Sequence, residues 1–148
     1  MAHIRKHHGK WFHQAGAEIV GFWGSSEESC AATAQALRDI FPFVGRGYWD
    51  LDQLLSGEAP NLLTICLPNE AHYACARRAL ERGCHVLCEK PTAMDAGEAA
   101  QMLAAAESAG RVHMIDHELR FNPNRMRIAE LISEGALGEI RHVDISNI

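Results

Sequence analysis

Residues 61–91, NLLTICLPNEAHYACARRALERGCHVLCEKP, decide how the rest of the chain is read. The stretch opens on an apolar run, LLTICL at residues 62–67, and ends in a second, HVLC at residues 85–88, followed by Glu89-Lys90-Pro91. Between them lies an amphipathic segment. Two short buried-looking runs about twenty residues apart, joined by one helix, are the pattern of a βαβ unit in a parallel sheet. Such sheets take their ligands beyond the carboxyl ends of the strands. The polar residues stand at those ends: Pro68, Asn69 and His72 after the first strand, Glu89 and Lys90 after the second.

Working outward, the same alternation continues on both sides. Residues 1–15 have helical character, with His3 and His7 on one face. Residues 17–23, AEIVGFW, predict a strand, followed by Gly24-Ser25-Ser26 and an alanine-rich helix over residues 29–41 that one of the serines caps. Residues 43–48 predict a short strand or loop, and Asp50 caps a short helix carrying Leu51, Leu54 and Leu55. The central helix runs over residues 71–82, with Ala74, Cys75, Ala79 and Leu80 expected to face the sheet and Gly83 as its left-handed stop. Asp95, with Glu98 three residues on, opens the next helix, which ends at Gly110. Residues 112–115 predict a strand closing on Asp116-His117-Glu118. Asn122 caps a helix to Glu134, and residues 139–148 alternate like a strand. Four or five strands interleaved with helices predict an α/β fold, a doubly wound and mostly parallel sheet.

Composition narrows the function classes. With 148 residues, 47% hydrophobic and 22% charged, the chain has the make-up of one globular domain. A formal charge of -5 with no basic stripe argues against a nucleic-acid partner. No apolar run approaches the roughly 20 residues of a membrane span, so no membrane partner is expected. Five scattered cysteines, an odd number, suit a reducing, cytoplasmic location.

Several residues could carry chemistry, each beside a plainer role. Lys90 could hold or protonate a ligand hydroxyl, with Glu89 pairing to it or accepting from a ribose; alternatively the two form a solvated loop pair. Asn69 and His72 could line a ligand near a helix N-terminus, or be an N-cap and an exposed helix residue. His117 could belong to a cofactor pocket or merely cap. Arg120 could bind phosphate or carboxylate, or pair with Asp116 or Glu118. No metal site is read: in a strand, Cys84 and Cys88 stand about 13 Å apart on one face, and core cysteines are the expectation there. The GxSxG pattern of a serine nucleophile is absent.

Taken together, PNEAH at residues 68–72, ALERGCHVLCEKP ending at Pro91, and LRFNP at residues 119–123 followed by GALGEI resemble the nucleotide-binding domain of the Gfo/Idh/MocA oxidoreductase family. The likeness runs from about residue 17 onward. It implies a Rossmann-like sheet that binds NAD or NADP and a small-molecule sugar, inositol or related polyol substrate. It also implies that Lys90 lies near the nicotinamide and positions or protonates the reacting hydroxyl, while Glu89, Leu67, Pro68, Asn69 and His72 contact the dinucleotide. His117 and Arg120 would lie in the segment approaching the nicotinamide end.

The resemblance also sets expectations by its departures. The family's opening strand and glycine-rich phosphate loop have no counterpart in residues 1–15, so residues 1–142 are expected to form an incomplete dinucleotide-binding domain. Residues 143–148 would begin a missing substrate domain. Gly24, Ser25 and Ser26 stand where an acidic residue usually takes the ribose diol, which favours NADP over NAD. The expected activity is hydride transfer by a longer protein of which this chain is a fragment, inactive alone. The alternative is a non-catalytic dinucleotide-binding or protein-interaction module. Strand edges left open by the missing strand would favour marginal stability or association of the chain with itself as a homo-oligomer.

Overall fold

The computed structural model describes the backbone of residues 2–145 and the side chains of residues 8–145. The chain divides into two units, Met1–Asp116 and His117–Ile148.

The first unit alternates helices and strands. Helix α1 (Ala2–Gln14) precedes β1 (Gly21–Trp23), α2 (Glu27–Arg38), β2 (Arg46–Tyr48) and α3 (Leu51–Glu58). Then follow β3 (Leu62–Ile65), α4 (His72–Glu81), β4 (His85–Glu89), α5 (Ala96–Ala109) and β5 (His113–Asp116). A 3₁₀ turn, Asn69–Ala71, leads into α4. Local chemistry accounts for most helix ends. Ser26 and Ser29 form a reciprocal capping box on α2, and Asp50 and Asp95 cap α3 and α5. Gly83 and Gly110 take positive φ just past α4 and α5.

All strand pairs are parallel. β1 pairs with β2, and β3, β4 and β5 form a second sheet in that order. The chain thus winds outward from β1 to β2, returns to β3, and winds on through β4 to β5. Among the described residues no strand joins the two sheets. Instead a cavity of about 460 Å³ is lined by Gly21, Phe22 and Trp23 on one side and by Leu62 to Leu67 on the other.

The larger core packs Leu51, Leu54 and Leu55 of α3, and Cys75, Ala76, Ala79 and Leu80 of α4, on Ile65, Val86 and Cys88, with Met102 and Ala106 of α5. Val86 and Cys88 are buried while Leu87 between them is only half-buried, the period-2 pattern of a sheet. A smaller core joins Leu37, Phe41 and Phe43 to Ile19 and Phe22. The rings of Phe41 and Phe43 meet edge to face at 5.9 Å.

Three expectations are corrected. Ala76, not Ala74, faces the core, because the buried α4 stripe is set by Cys75, Ala79 and Leu80, and Ala74 points to solvent. Of residues 17–23 only the last three join a ladder, since β2 offers only three residues to pair with. Residues 139–145 form no strand, and 146–148 lie outside the described residues.

In the second unit, a 3₁₀ turn (Glu118–Phe121) leads to α6 (Pro123–Ser133), capped by the Asn122 side chain with Pro123 as its first residue. The apolar positions Met126, Ile128 and Ile132 of α6 are exposed.

Candidate functional site at the carboxyl edge of the sheet

The carboxyl ends of β3, β4 and β5 lie side by side because the register pairs Ile65 with Cys88, and Glu89 with Asp116. The loops leaving those ends carry Leu67, Pro68 and Asn69 from β3, and Lys90 and Pro91 from β4. Asn69 and Lys90 are exposed. Among the described residues the Lys90 ammonium makes no ion pair, while its backbone N–H donates to Oε2 of Glu89 at 3.2 Å. The Glu89–Lys90 side-chain pair that the sequence allowed is therefore not formed.

Glu89 is turned toward a residue that sequence reasoning passed over. Its Oε1 lies 3.5 Å from Nε2 of His8 on α1, and Oδ2 of Asp116 lies 3.4 Å from the same nitrogen. Nδ1 of His8 lies 3.4 Å from Cys66 Sγ. Asp116, read as a partner for Arg120, is thus engaged by His8. No local signal announces this cluster, since 108 positions separate His8 from Asp116. Only parallel pairing of β4 with β5, and α1 crossing their ends, brings the groups together.

His72 departs from its expected role. Its side chain has no exposed surface, so it is not the exposed helix residue that the sequence allowed. Its ring bridges two loops instead: Nε2 lies 2.9 Å from the Leu67 carbonyl oxygen and Nδ1 lies 2.8 Å from that of Pro91. The imidazole ties the loop after β3 to the loop carrying Lys90, and the Lys90–Pro91 peptide is cis. The physical reason is the buried first turn of α4, where a polar ring must spend its nitrogens on partners.

Beyond β1, Ser25 and Ser26 are exposed, but both hydroxyls are in use. The Ser26 hydroxyl accepts from Ser29 N–H, and Ser25 and Ser29 hydroxyls lie 3.3 Å apart. Gly24 has a local reason of its own: a Cβ there would stand 2.7 Å from Cys30 Sγ. His117 and Arg120 belong to the second unit, in and just before its 3₁₀ turn, where both are exposed; His117 makes no side-chain cap.

Cys30, Cys75, Cys84 and Cys88 are buried, while Cys66 is half-buried. Burial pushes the Cys88 thiol up to about 11 and Cys75 up to about 12, and raises Cys84 as well. All stay protonated near neutrality, the wrong state for a thiolate nucleophile or ligand. His3 and His7 have side chains outside the described residues. Among the described residues no helix is long and apolar enough to cross a membrane.

Parallel strands whose winding reverses at a crevice, with polar side chains at their carboxyl edge, define a nucleotide-binding α/β domain. The chain belongs to the Gfo/Idh/MocA family, the oxidoreductase family with an NAD-binding Rossmann fold, whose pattern matches residues 2–117. It is 37% identical over 114 residues to the D-glucoside 3-dehydrogenase of Escherichia coli, a match covering 76% of this chain and 32% of that protein. The WlbA dehydrogenase from Bordetella pertussis, solved with NADH and UDP-GlcNAcA, superposes with a TM-score of 0.80 at 25% identity, covering 89% of this chain and 40% of that one. A 3-ketoreductase from Actinomadura kijaniata, solved with NADP and TDP-benzene, gives a TM-score of 0.71 at 26% identity, over 84% of this chain and 36% of the other. The chain spans about a third of the length of the curated relatives it matches.

Proposed function

We propose that this chain supplies the dinucleotide-binding part of an NAD(P)-dependent oxidoreductase acting on a sugar or related polyol, with Lys90 beside the reacting hydroxyl. The observation that carries the proposal is the exposed, unpaired Lys90 ammonium at the carboxyl edge of a parallel sheet, in a loop anchored from beneath by His72. The relatives support the substrate class, being dehydrogenases of a D-glucoside and of D-apiose by name. Both NADH and NADP occur in the similar structures, so the leaning toward NADP rests on Gly24, Ser25 and Ser26 alone.

The edge residues fit a dinucleotide in part. Asn69 and Lys90 present exposed polar groups from adjacent strand ends, and Leu67 and Pro68 supply half-buried apolar surface beside them. Ser25 and Ser26 would meet the ribose end, and Glu89 would stand close to Lys90. Among the described residues no glycine-rich turn cradles a pyrophosphate. When bound, the nicotinamide supplies hydride transfer. Lys90 would hold the substrate oxygen by an N–H donor and stabilise the charge that develops there. His117 and Arg120 are also proposed as cofactor-binding residues, and residues 143–148 as the start of a substrate domain.

The test is a thermal melt of this chain and of the complete protein, each with saturating NADPH or NADH. A ligand at about 100 times its Kd adds about 2.7 kcal/mol to the folded state. A transition raised by either dinucleotide is expected in the complete protein, with the stronger shift naming the cofactor. A cooperative transition that neither dinucleotide moves, in both proteins, would favour the interaction-module reading.

A further inference from the structure

From the convergence of His8, Glu89 and Asp116 we infer that this chain carries a divalent transition-metal site, with Zn²⁺ its best-matched ion. The three donors come from three elements, α1, β4 and β5, and one ligand atom from each lies within 4.8 Å of the others. The site is sheltered: the side chain of His8 is 9% exposed, that of Glu89 18% and that of Asp116 25%. An ion held about 2.0–2.2 Å from each donor in a tetrahedral shell needs donors about 3.4 Å apart. The two separations from His8, 3.5 and 3.4 Å, already have that span.

Charge points the same way. Glu89 and Asp116 stand together with no lysine or arginine paired to either among the described residues. An imidazole balances at most one of two carboxylates, and sheltered uncompensated charge is costly. A dication balances both. The atoms not facing the ion are already held. Nδ1 of His8 meets Cys66 Sγ, and Oε2 of Glu89 accepts from Lys90 N–H, the kind of outer contact that orients metal ligands. One nitrogen and two carboxylates suit zinc or manganese and leave positions open for water or a vicinal diol. The site does not rest on the dinucleotide reading, because its ligand is the ion alone.

The experiment is Zn²⁺ binding to the full chain by titration calorimetry, followed by Co²⁺ substitution and absorption spectroscopy. One Zn²⁺ per chain is expected, together with Co²⁺ bands of a nitrogen-oxygen site and no thiolate charge-transfer band. Glu89→Gln and Asp116→Asn, isosteric changes on different strands, should each weaken binding beyond the roughly 10–100-fold that outer-contact changes cost. The control His142→Gln, an exposed histidine with no role in the site, should bind as before. Zn²⁺ should also raise the melting temperature of the parent chain and leave that of Asp116→Asn unmoved. Absence of stoichiometric Zn²⁺, a cysteine thiolate band, or binding indifferent to both carboxylate variants would each overturn the assignment.

Discussion

Replacing His72 with alanine tests whether the loop bearing Lys90 is held from below. The ring is wholly buried and reaches the Leu67 and Pro91 carbonyls at 2.9 and 2.8 Å. Alanine removes the ring nitrogens that contact both loops and leaves the two carbonyl oxygens facing a void. An unsatisfied buried polar group costs about 1–3 kcal/mol, and the emptied ring volume adds a cavity term. Alanine's better helix propensity returns about half a kcal/mol at most. The net loss is about 3 kcal/mol, a large share of the 5–15 kcal/mol typical of a domain. Urea denaturation followed by circular dichroism measures it as a lowered midpoint. His72→Gln, which can donate to one carbonyl, should fall between parent and alanine. Amide exchange should quicken in the β3 and Lys90 loops before it does in the α5 core. A loss below about 1 kcal/mol, or exchange unchanged in both loops, would refute the bridging role.

Three further outcomes are expected. In the oxidoreductase proposed above, Lys90→Ala should lower kcat by about 10²–10⁴-fold, the range of a lost proton-transfer group, while dinucleotide affinity stays within a few-fold; equal turnover would count against the role. Burial depresses the His113 pKa below its ordinary value, so the unfolded state takes up the proton first. This contribution therefore leaves stability full above about pH 6.5 and erodes it as pH falls through that value toward the folded pKa. Comparing urea midpoints across that window, His113→Gln should show a shallower acid loss than the parent, and identical slopes would remove His113 as the cause. Among the described residues β1 and β3 each have one edge with no paired strand, beside a cavity that both line, so the chain should self-associate or melt broadly; a monomer in sedimentation with a sharp high-temperature melt would contradict this.

Much of the fold was legible because it is written in near neighbours. Ser26, Asp50, Asp95 and Asn122 cap helices by bonding amides two or three positions on, and such bonds depend on residue order more than on the distant chain. The apolar runs before Asn69 and Glu89 became parallel strands for a similar reason, since a helix of that length returns the chain to the same sheet direction. That Lys90 and Asn69 would share one edge followed from the topology alone.

What each edge residue does was decided in three dimensions. His72 looks the same in sequence whether it faces a ligand or the core, and only the packing of α4 buried its ring between two carbonyls. Glu89 beside Lys90 suggests a pair, yet a carboxylate goes to the partners that surround it, and here these are His8 and the Lys90 backbone. Capping amides lie within reach along the chain, so sequence alone determines them. A cluster drawn from α1, β4 and β5 exists only once the sheet has set its register, because no spacing in the sequence encodes a distance across strands.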